Sequence, residues 1–166
     1  MSNDFTIRLA SIDDLEAIRT IYNEGIVDRI ATLETEPKSS QDMVRWWTER
    51  DRRYMVLVAS TSIDVLGWAS LNPFSPRRGH WSVAGLSIYV ARAQRGKGIG
   101  FALLDHLMRE AVQAVFHKIV LHALDHNDHG KRLYRKAGFV EVGIFKEHGI
   151  VDDRYVDVVA MERLLG

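Results

Sequence analysis

The sequence predicts an α/β domain with a mixed sheet, and three observations support this. Short apolar segments typical of strands are interspersed with longer segments of helical periodicity. Two strand segments are separated only by a polar turn, as in an antiparallel hairpin, whereas others are separated by a helix and need a crossover connection. A length of 166 residues suits one hydrophobic core, so residues 1–166 are expected to form a single domain.

The elements are predicted in the order β-α-α-β-β-β-α-β-α-β-β. Two helices are expected to start at Ser11 and Ser39, because each serine has an aspartate three residues later, as in a capping box. Two further helices are expected over Ile99–Val115 and Asp128–Ala137, the second ending at a glycine, Gly138, suited to a left-handed C-cap. The predicted strands are Thr6–Leu9, Tyr54–Ala59, Val65–Ser70, Val83–Val90, Lys118–Leu124, Phe139–Phe145 and Tyr155–Met161.

The composition excludes several classes of function. The 22 basic residues balance 22 acidic ones, which argues against a nucleic-acid binder or a protein held on anionic membranes by charge. The absence of cysteine excludes disulfides, thiolate metal sites and cysteine nucleophiles. Met1–Ala10 lacks the pattern of a signal peptide, and the apolar run Tyr54–Ala59 is too short to span a membrane. We therefore expect a cytoplasmic protein.

A glycine-rich run, Gln94–Gly100, lies between a predicted strand and a predicted helix. Glycines at 96, 98 and 100 allow the backbone N–H groups of the helix start to approach an anion closely, and Arg95 and Lys97 add positive charge. The run is not a Walker A motif, because Ile99 follows the second glycine, and not a dinucleotide fingerprint, because Phe101 stands where a glycine is needed. We interpret it as a phosphate or pyrophosphate site.

A second motif lies about thirty residues further along. Asn127, Gly130 and Tyr134 recur at intervals that place them on one face of a helix, where they could address one ligand together.

These two motifs resemble the signatures of the GNAT acetyltransferase superfamily. The first resembles its Gln/Arg-x-x-Gly-x-Gly/Ala motif and the second its Asn-x-x-Ser/Ala-x-x-Leu-Tyr-x-x-x-Gly-Phe motif, read here from Asn127 to Phe139. Further segments resemble the phosphinothricin/methionine sulfoximine N-acetyltransferase subfamily, and the loop at 72–75 is closest to its arsinothricin-type branch. The segments are Ile7-Arg8 with Asp14, Ile21–Asn23, Ala31–Pro37, Leu86–Val90, Gly149–Asp157 and Met161.

The resemblance implies a GNAT fold, with a mixed, mostly antiparallel central sheet flanked by helices. It implies direct transfer of the acetyl group of acetyl-CoA, without a metal, to the amine of a small amino acid or a toxic analogue, and a homodimer. The implied acetyl-CoA site consists of Ile88, Tyr89, Val90, Gln94, Arg95, Gly96, Lys97, Gly98, Ile99, Gly100, Phe101, Asn127 and Gly130. The acceptor is expected to bind at Phe74, Arg77, Gly85, Leu86 and Ser87.

The catalytic groups are only partly specified by the sequence. Tyr134 is the candidate proton donor for the departing thiolate. The subfamily carries an acidic general base where this chain has Gly85. The alternatives are a base supplied by His80, Glu34 or Glu36, a water-mediated proton path, or a different natural substrate with weak or lost activity on the usual compounds.

Other residues allow more than one interpretation. Arg77 or Arg78 could pair with an acceptor carboxylate or be solvated, and Phe74 could line the pocket or anchor its loop. The resemblance implies that the C-terminal hairpin approaches the pocket through Lys146, Tyr155 and Asp157, either within one subunit or across a dimer interface. Asp157 could equally hold the hairpin together.

No metal site is expected, since His122, His126 and His129 straddle a strand, a loop and a helix without acidic companions. Two rival functions stay open. One is a binding module that holds acetyl-CoA without turnover, and the other is acetylation of a protein N-terminus or lysine.

Overall fold

The computed structural model describes residues 4–166, so the first three residues of the segment Met1–Ala10 lie outside the described part. The helices are α1 (Leu15–Asp28), α2 (Ser40–Thr48), α3 (Ile99–Gln113) and α4 (Asp128–Lys136). The strands are β1 (Thr6–Leu9), β2 (Val56–Ser60), β3 (Val65–Pro73), β4 (Val83–Val90), β5 (Lys118–Leu124), β6 (Val140–Val151) and β7 (Arg154–Leu164). The predicted element order is confirmed. None of the helices within residues 4–166 is long and apolar enough to cross a membrane.

Both predicted capping boxes form, although the first starts a short 3-10 turn rather than the helix itself. Ser39 Oγ accepts a hydrogen bond from the backbone N–H of Asp42 (3.1 Å), and the Asp42 carboxylate accepts one from the backbone N–H of Ser39 (2.8 Å). At the other site the backbone N–H of Ser11 donates to the Asp14 carboxylate (2.8 Å), and α1 begins one residue later. These pairs satisfy N–H groups that a helix start leaves unpaired.

The seven strands form one sheet in the order β1-β2-β3-β4-β5-β7-β6. All neighbours are antiparallel except β4 and β5, which are parallel. That parallel ladder contains only three registered pairs and ends at Gly85 opposite Val120, although β4 continues to Val90 and β5 to Leu124. The two central strands therefore diverge beyond Gly85 and leave a gap in the middle of the sheet.

Apolar side chains cover both faces of the sheet. On one face α1 and α2 pack Ile18, Ile21 and Met43 against Val58 of β2 and Trp68 of β3. On the other face α3 packs a larger apolar cluster against the sheet, and side chains of α4 pack against this cluster. The largest fully buried members of this cluster are Leu57, Leu71, Leu103, Leu104, Leu107, Ile119, Met161 and Val159. Alternate residues of β2 and β3 enter the two clusters, as the pleat of a strand requires.

The strand and helix ends differ from the sequence prediction where local backbone geometry decides them. The helix expected to reach Val115 ends at Gln113, because Val115 has a left-handed φ of +64°. The strand expected to end at Phe145 continues to Val151, through a register shift at Phe145/Gly149 that the alternation of side chains did not reveal. The left-handed conformation expected at Gly138 is confirmed, with φ +91°.

The buried carboxylate of Asp14 gives a test of the N-terminal fold. Two nitrogens of the Arg8 guanidinium donate to it at 2.8 and 2.9 Å, and these bonds hold its pKa below the usual value. Asp14→Asn is expected to lower the free energy of unfolding at pH 7 by about 2 kcal/mol, because the amide cannot accept the charge-assisted pair. Urea denaturation measures this loss, and exposed Asp13→Asn is the matched control.

The pH dependence follows from the sign of the shift. A lowered pKa in the folded state gives stability that is present above the unfolded value of about 3.9 and is lost as the pH falls through the folded pKa. The difference in the free energy of unfolding between wild type and Asp14→Asn should therefore shrink in strong acid. Equal losses in the Asp13 and Asp14 variants at pH 7 would contradict this role of the Arg8–Asp14 pair.

Candidate active site

Two adjoining cavities lie along the part of β4 that β5 does not pair. The glycine cavity, about 660 Å³, extends to the glycine-rich run and α4. The loop cavity, about 420 Å³, is covered by the loop that follows α1. Both are lined by Ala31, Ile88, Tyr89 and Tyr134, so the cavities meet at these residues. Volumes of this size suit bound small molecules, whose sites measure about 300–1,000 Å³.

Most of the residues predicted to hold the cofactor line the glycine cavity. They are Ile88, Tyr89, Val90, Gln94, Arg95, Gly96, Gly98, Ile99, Gly100, Phe101, Asn127 and Gly130. Lys97 does not line it; its side chain is exposed, and its ammonium group donates to the Gln94 side-chain carbonyl (3.2 Å). Two segments far apart in the sequence are thus brought to one cavity.

The glycine-rich run presents the N-terminus of α3 to this cavity. Gly98 is the N-cap residue with φ +85°, and Gly96 has φ +78°, both in the left-handed region that glycine adopts without strain. A Cβ at either position would meet no atom within 4 Å, so the requirement is conformational rather than steric. The arrangement leaves backbone N–H groups and the positive end of the helix dipole available to an anion.

The positive charge around the glycine cavity is distributed differently from the sequence prediction. The guanidinium groups of Arg95 (2.6 Å) and Arg92 (2.7 Å) share the Asp28 carboxylate, so the positive charge of Arg95 is offset only in part. Sequence reasoning missed Arg132 and Lys136 of α4, which also line the cavity. Their i, i+4 spacing on the predicted helix was the signal that could have identified them as one basic pair.

The start of α4 explains why glycine occupies position 130. Asn127 is the N-cap residue, and its side-chain oxygen accepts a hydrogen bond from the backbone N–H of Gly130 (2.9 Å). A Cβ at Gly130 would lie 2.5 Å from the Asn127 amide nitrogen, so a larger residue would push this side chain away. Asn127, Gly130 and Tyr134 line the same cavity, as their spacing predicts.

Tyr134 lies where the two cavities meet. Burial raises the pKa of its phenol to about 12, which keeps the hydroxyl protonated throughout the neutral range. Within residues 4–166 the hydroxyl makes no hydrogen bond, while the ring packs edge-on against Phe139 at 6.2 Å. The side chain is therefore held by packing, and its donor is available to a ligand.

The residues predicted for the acceptor site divide between cavity and surface. Gly85, Leu86 and Ser87 of β4 line the loop cavity, as does Phe74, whose ring also packs edge-on against His80. Arg77 is exposed on the loop before β4 and lines neither cavity, and the same holds for the neighbouring Arg78. A carboxylate-binding role for these arginines stays a prediction.

The three side chains considered as substitutes for the missing base lie in different places. Glu34 lines the loop cavity, where its carboxylate binds the Lys38 ammonium (3.1 Å). Glu36 and His80 do not line it, and His80 Nδ1 is instead 2.6 Å from the Ser75 hydroxyl. One titratable side chain in the cavity was considered only as a metal ligand, namely His122 on β5.

The C-terminal hairpin residues Lys146, Tyr155 and Asp157 line neither cavity. Asp157 accepts hydrogen bonds from the Lys146 ammonium (2.9 Å) and from the backbone N–H of Glu147 (2.8 Å), so it holds the β6–β7 hairpin together. The backbone hydrogen bond and the Lys146 charge keep the pKa of Asp157 low. In the part of the chain that the structure describes, no group of three His, Asp or Glu side chains is arranged to hold a metal ion.

Comparison with known proteins gives a consistent result. The profile of the Acetyltransferase (GNAT) family matches residues 15–139. The L-methionine sulfoximine/L-methionine sulfone acetyltransferase of Pseudomonas aeruginosa is 32% identical over 159 residues, which is 95% of this chain and 92% of the relative.

Two solved structures resemble the whole fold closely. A phosphinothricin acetyltransferase from Sinorhizobium meliloti in complex with acetyl-CoA has a TM-score of 0.92 and 32% identity, covering 98% of this chain and 89% of the other. A ribosomal-protein-alanine N-acetyltransferase from Brucella melitensis also has a TM-score of 0.92, with 33% identity, covering 96% of this chain and 99% of the other. The mixed, mostly antiparallel sheet flanked by helices is thus the fold expected from the sequence motifs.

Proposed function

Because this chain belongs to the Acetyltransferase (GNAT) family, we propose that residues 1–166 act as one N-acetyltransferase domain. The enzyme moves the acetyl group of acetyl-CoA to the amine of a small amino acid or amino-acid analogue. The observation that carries the proposal is the meeting of two cavities at Tyr134, one suited to a pyrophosphate and the other to a small acceptor. The cytoplasmic location expected from the sequence stays a prediction.

In the proposed complex the pyrophosphate of acetyl-CoA binds the N–H groups around Gly96, Gly98 and Gly100 at the start of α3. Arg132 and Lys136 of α4 add positive charge beside the pyrophosphate, since the guanidinium of Arg95 is already bound to Asp28. The pantetheine arm follows the edge of β4 beyond Gly85, where the departure of β5 leaves alternate backbone groups free. This path directs the thioester toward Tyr134.

The chemistry needs no covalent enzyme intermediate. The deprotonated amine attacks the thioester carbonyl, a C–N bond forms, and the C–S bond breaks to release the thiolate. Tyr134 donates a hydrogen bond to the sulfur. With its pKa raised to about 12, full transfer of the phenolic proton to a thiolate of ordinary pKa near 8.5 is unfavourable unless the proton leaving the nitrogen replaces it.

The acceptor class follows from the loop cavity and from the relatives. The cavity is bounded by β4, by Phe74 and by the loop at 31–34, which leaves room for a small molecule. The names of the Pseudomonas and Sinorhizobium proteins refer to amino-acid analogues of this size. The name of the Brucella protein refers to a ribosomal protein, so acetylation of a peptide N-terminus is the second candidate.

A panel of acceptors tests the proposal. Thiol release from acetyl-CoA is expected with methionine sulfoximine, methionine sulfone, phosphinothricin or a related amino acid, with the N-acetyl product identified by mass spectrometry. Alanine-initiated peptides form the second arm, and turnover confined to them would favour the peptide candidate. Stabilisation by acetyl-CoA without thiol release in either arm would contradict an enzyme and favour a binding module.

We also propose that the protein is a homodimer formed through the β6–β7 hairpin. β6 is an edge strand, and Val140, Val142, Ile144 and Phe145 on it are 45% to 61% exposed. A long apolar edge strand is a surface that folded proteins normally cover. A second copy of this chain is the occupant that the resemblance to dimeric relatives favours.

Sedimentation equilibrium tests the dimer. Wild type is expected to be dimeric at micromolar concentration, and Ile144→Asp to be monomeric, because the carboxylate would be desolvated in the interface. Ile63→Asp is the matched control, since Ile63 is 86% exposed on the β2–β3 turn, distant from β6 in the sheet order. A monomeric wild type, or a dimer that survives Ile144→Asp, would contradict this interface.

A further inference from the structure

The proposed reaction requires a group that removes a proton from the acceptor ammonium, and the following inference rests on the proposed function. Five titratable side chains line the loop cavity: Tyr22, Glu34, Tyr89, His122 and Tyr134. Burial raises the pKa of the Tyr22 and Tyr134 phenols to about 12, and that of Tyr89 further. These phenols are donors at neutral pH, which leaves Glu34 and His122 as proton acceptors.

The register of the central strands places His122 beside the position that lacks a carboxylate. Gly85 of β4 is paired with Val120 of β5, and paired residues of adjacent strands point to the same face of the sheet. His122 follows Val120 by two residues, so its side chain also points to that face. It lies about 7 Å further along β5, where β4 and β5 have diverged and the loop cavity opens.

The imidazole of His122 is available for chemistry. Its ring nitrogens make no hydrogen bond within residues 4–166, and the ring is held by a tilted contact with Phe145 at 6.0 Å. Phe145 in turn stacks on His148 at 4.5 Å. Partial burial, and to a lesser extent the charge of His148, lower the pKa of His122, so the ring is neutral at pH 7.

Glu34 is the weaker candidate. Its carboxylate already binds the Lys38 ammonium at 3.1 Å, so one of its oxygens is occupied by an ion pair. It is carried by the loop after α1, whereas His122 is part of a strand paired on one side with β7 through its whole length. A group on a rigid strand is held in place more accurately than one on a loop.

We propose that His122 is the general base of the acetyl transfer. A lone pair of its imidazole takes one proton from the acceptor ammonium, directly or through one water. The free amine then forms the C–N bond while the C–S bond breaks. The second proton leaves the nitrogen and converts the thiolate to a thiol, while Tyr134 donates a hydrogen bond to the sulfur. The imidazolium of His122 then releases its proton to solvent.

Several charged or titratable groups surround His122 and contribute to its behaviour. The loop after α1 presents Glu34, α4 presents Tyr134, and β6 presents His148. The Lys146–Asp157 ion pair lies on the same hairpin and is internally neutralised. On β4 the residues at the cavity, Gly85, Leu86 and Ser87, offer no titratable side chain.

The test uses the full chain and the best acceptor from the amino-acid panel. His122→Gln is expected to lower kcat by about a hundredfold, the contribution of a positioned base, with the Kd of acetyl-CoA unchanged. Wild type should lose kcat/KM in acid, at a pH below the ordinary histidine pKa of about 6.5, because the imidazole becomes protonated there, and the variant should lose this limb. His106→Gln on α3, which lines neither cavity, is the matched control.

A second variant separates catalysis from structure. A Cβ at Gly85 would have its nearest neighbours at 3.8 Å, an ordinary van der Waals contact, and Gly85 lines the loop cavity. Gly85→Glu in the His122→Gln background is expected to raise kcat at least tenfold above that of His122→Gln alone, because the introduced carboxylate enters the same cavity. A purely structural histidine would not be rescued in this way.

Two results would overturn the proposal. In the first, His122→Gln loses less than threefold in kcat and keeps the acidic limb of the pH profile. In the second, Glu34→Gln shows the hundredfold loss of kcat, Gly85→Glu rescues it, and His122→Gln stays active. Wild type that releases no thiol with any acceptor would instead remove the proposed function itself, so the two failures are distinguishable.

Discussion

The divergence of β4 from β5 is the constraint on which the rest of the site depends. Three registered pairs hold the strands together up to Gly85 and Val120, and beyond them each strand keeps its other neighbour but loses this one. Unpaired strand edges inside a protein need partners for their backbone groups. In the proposed complex the cofactor arm supplies partners along β4, while the opened space also admits the acceptor from the side of the loop after α1.

Each part of the proposed chemistry is placed by this divergence. The glycine-rich run follows directly from the end of β4, so the anion site lies at one end of the gap. Tyr134 of α4 lies where the glycine cavity and the loop cavity meet, and His122 of β5 lines the loop cavity. Transfer between two bound molecules requires the reacting groups to meet at one point, and here the two cavities share the residues around Tyr134.

The sequence predicted the features that depend on local rules and missed those that depend on pairing in three dimensions. The glycines at 96, 98 and 100 and the helix spacing of Asn127 and Tyr134 are local features, and the residues they point to line one cavity. The ion pair between Arg95 and Asp28 joins residues 67 positions apart and could not be read from either motif. The role inferred for His122 depends on the register of β5 against β4, which no periodicity specifies.

The most direct test of the central claim, that the two cavities meet at a catalytic Tyr134, separates turnover from binding. Steady-state kinetics and calorimetric titration of Tyr134→Phe isolate the hydroxyl, because phenylalanine preserves the packing against Phe139. The account predicts a kcat lowered by about a hundredfold, with the Kd of acetyl-CoA within about twofold of wild type, a change of less than 0.5 kcal/mol. An unchanged kcat, or a loss that appears only in acetyl-CoA affinity, would contradict it.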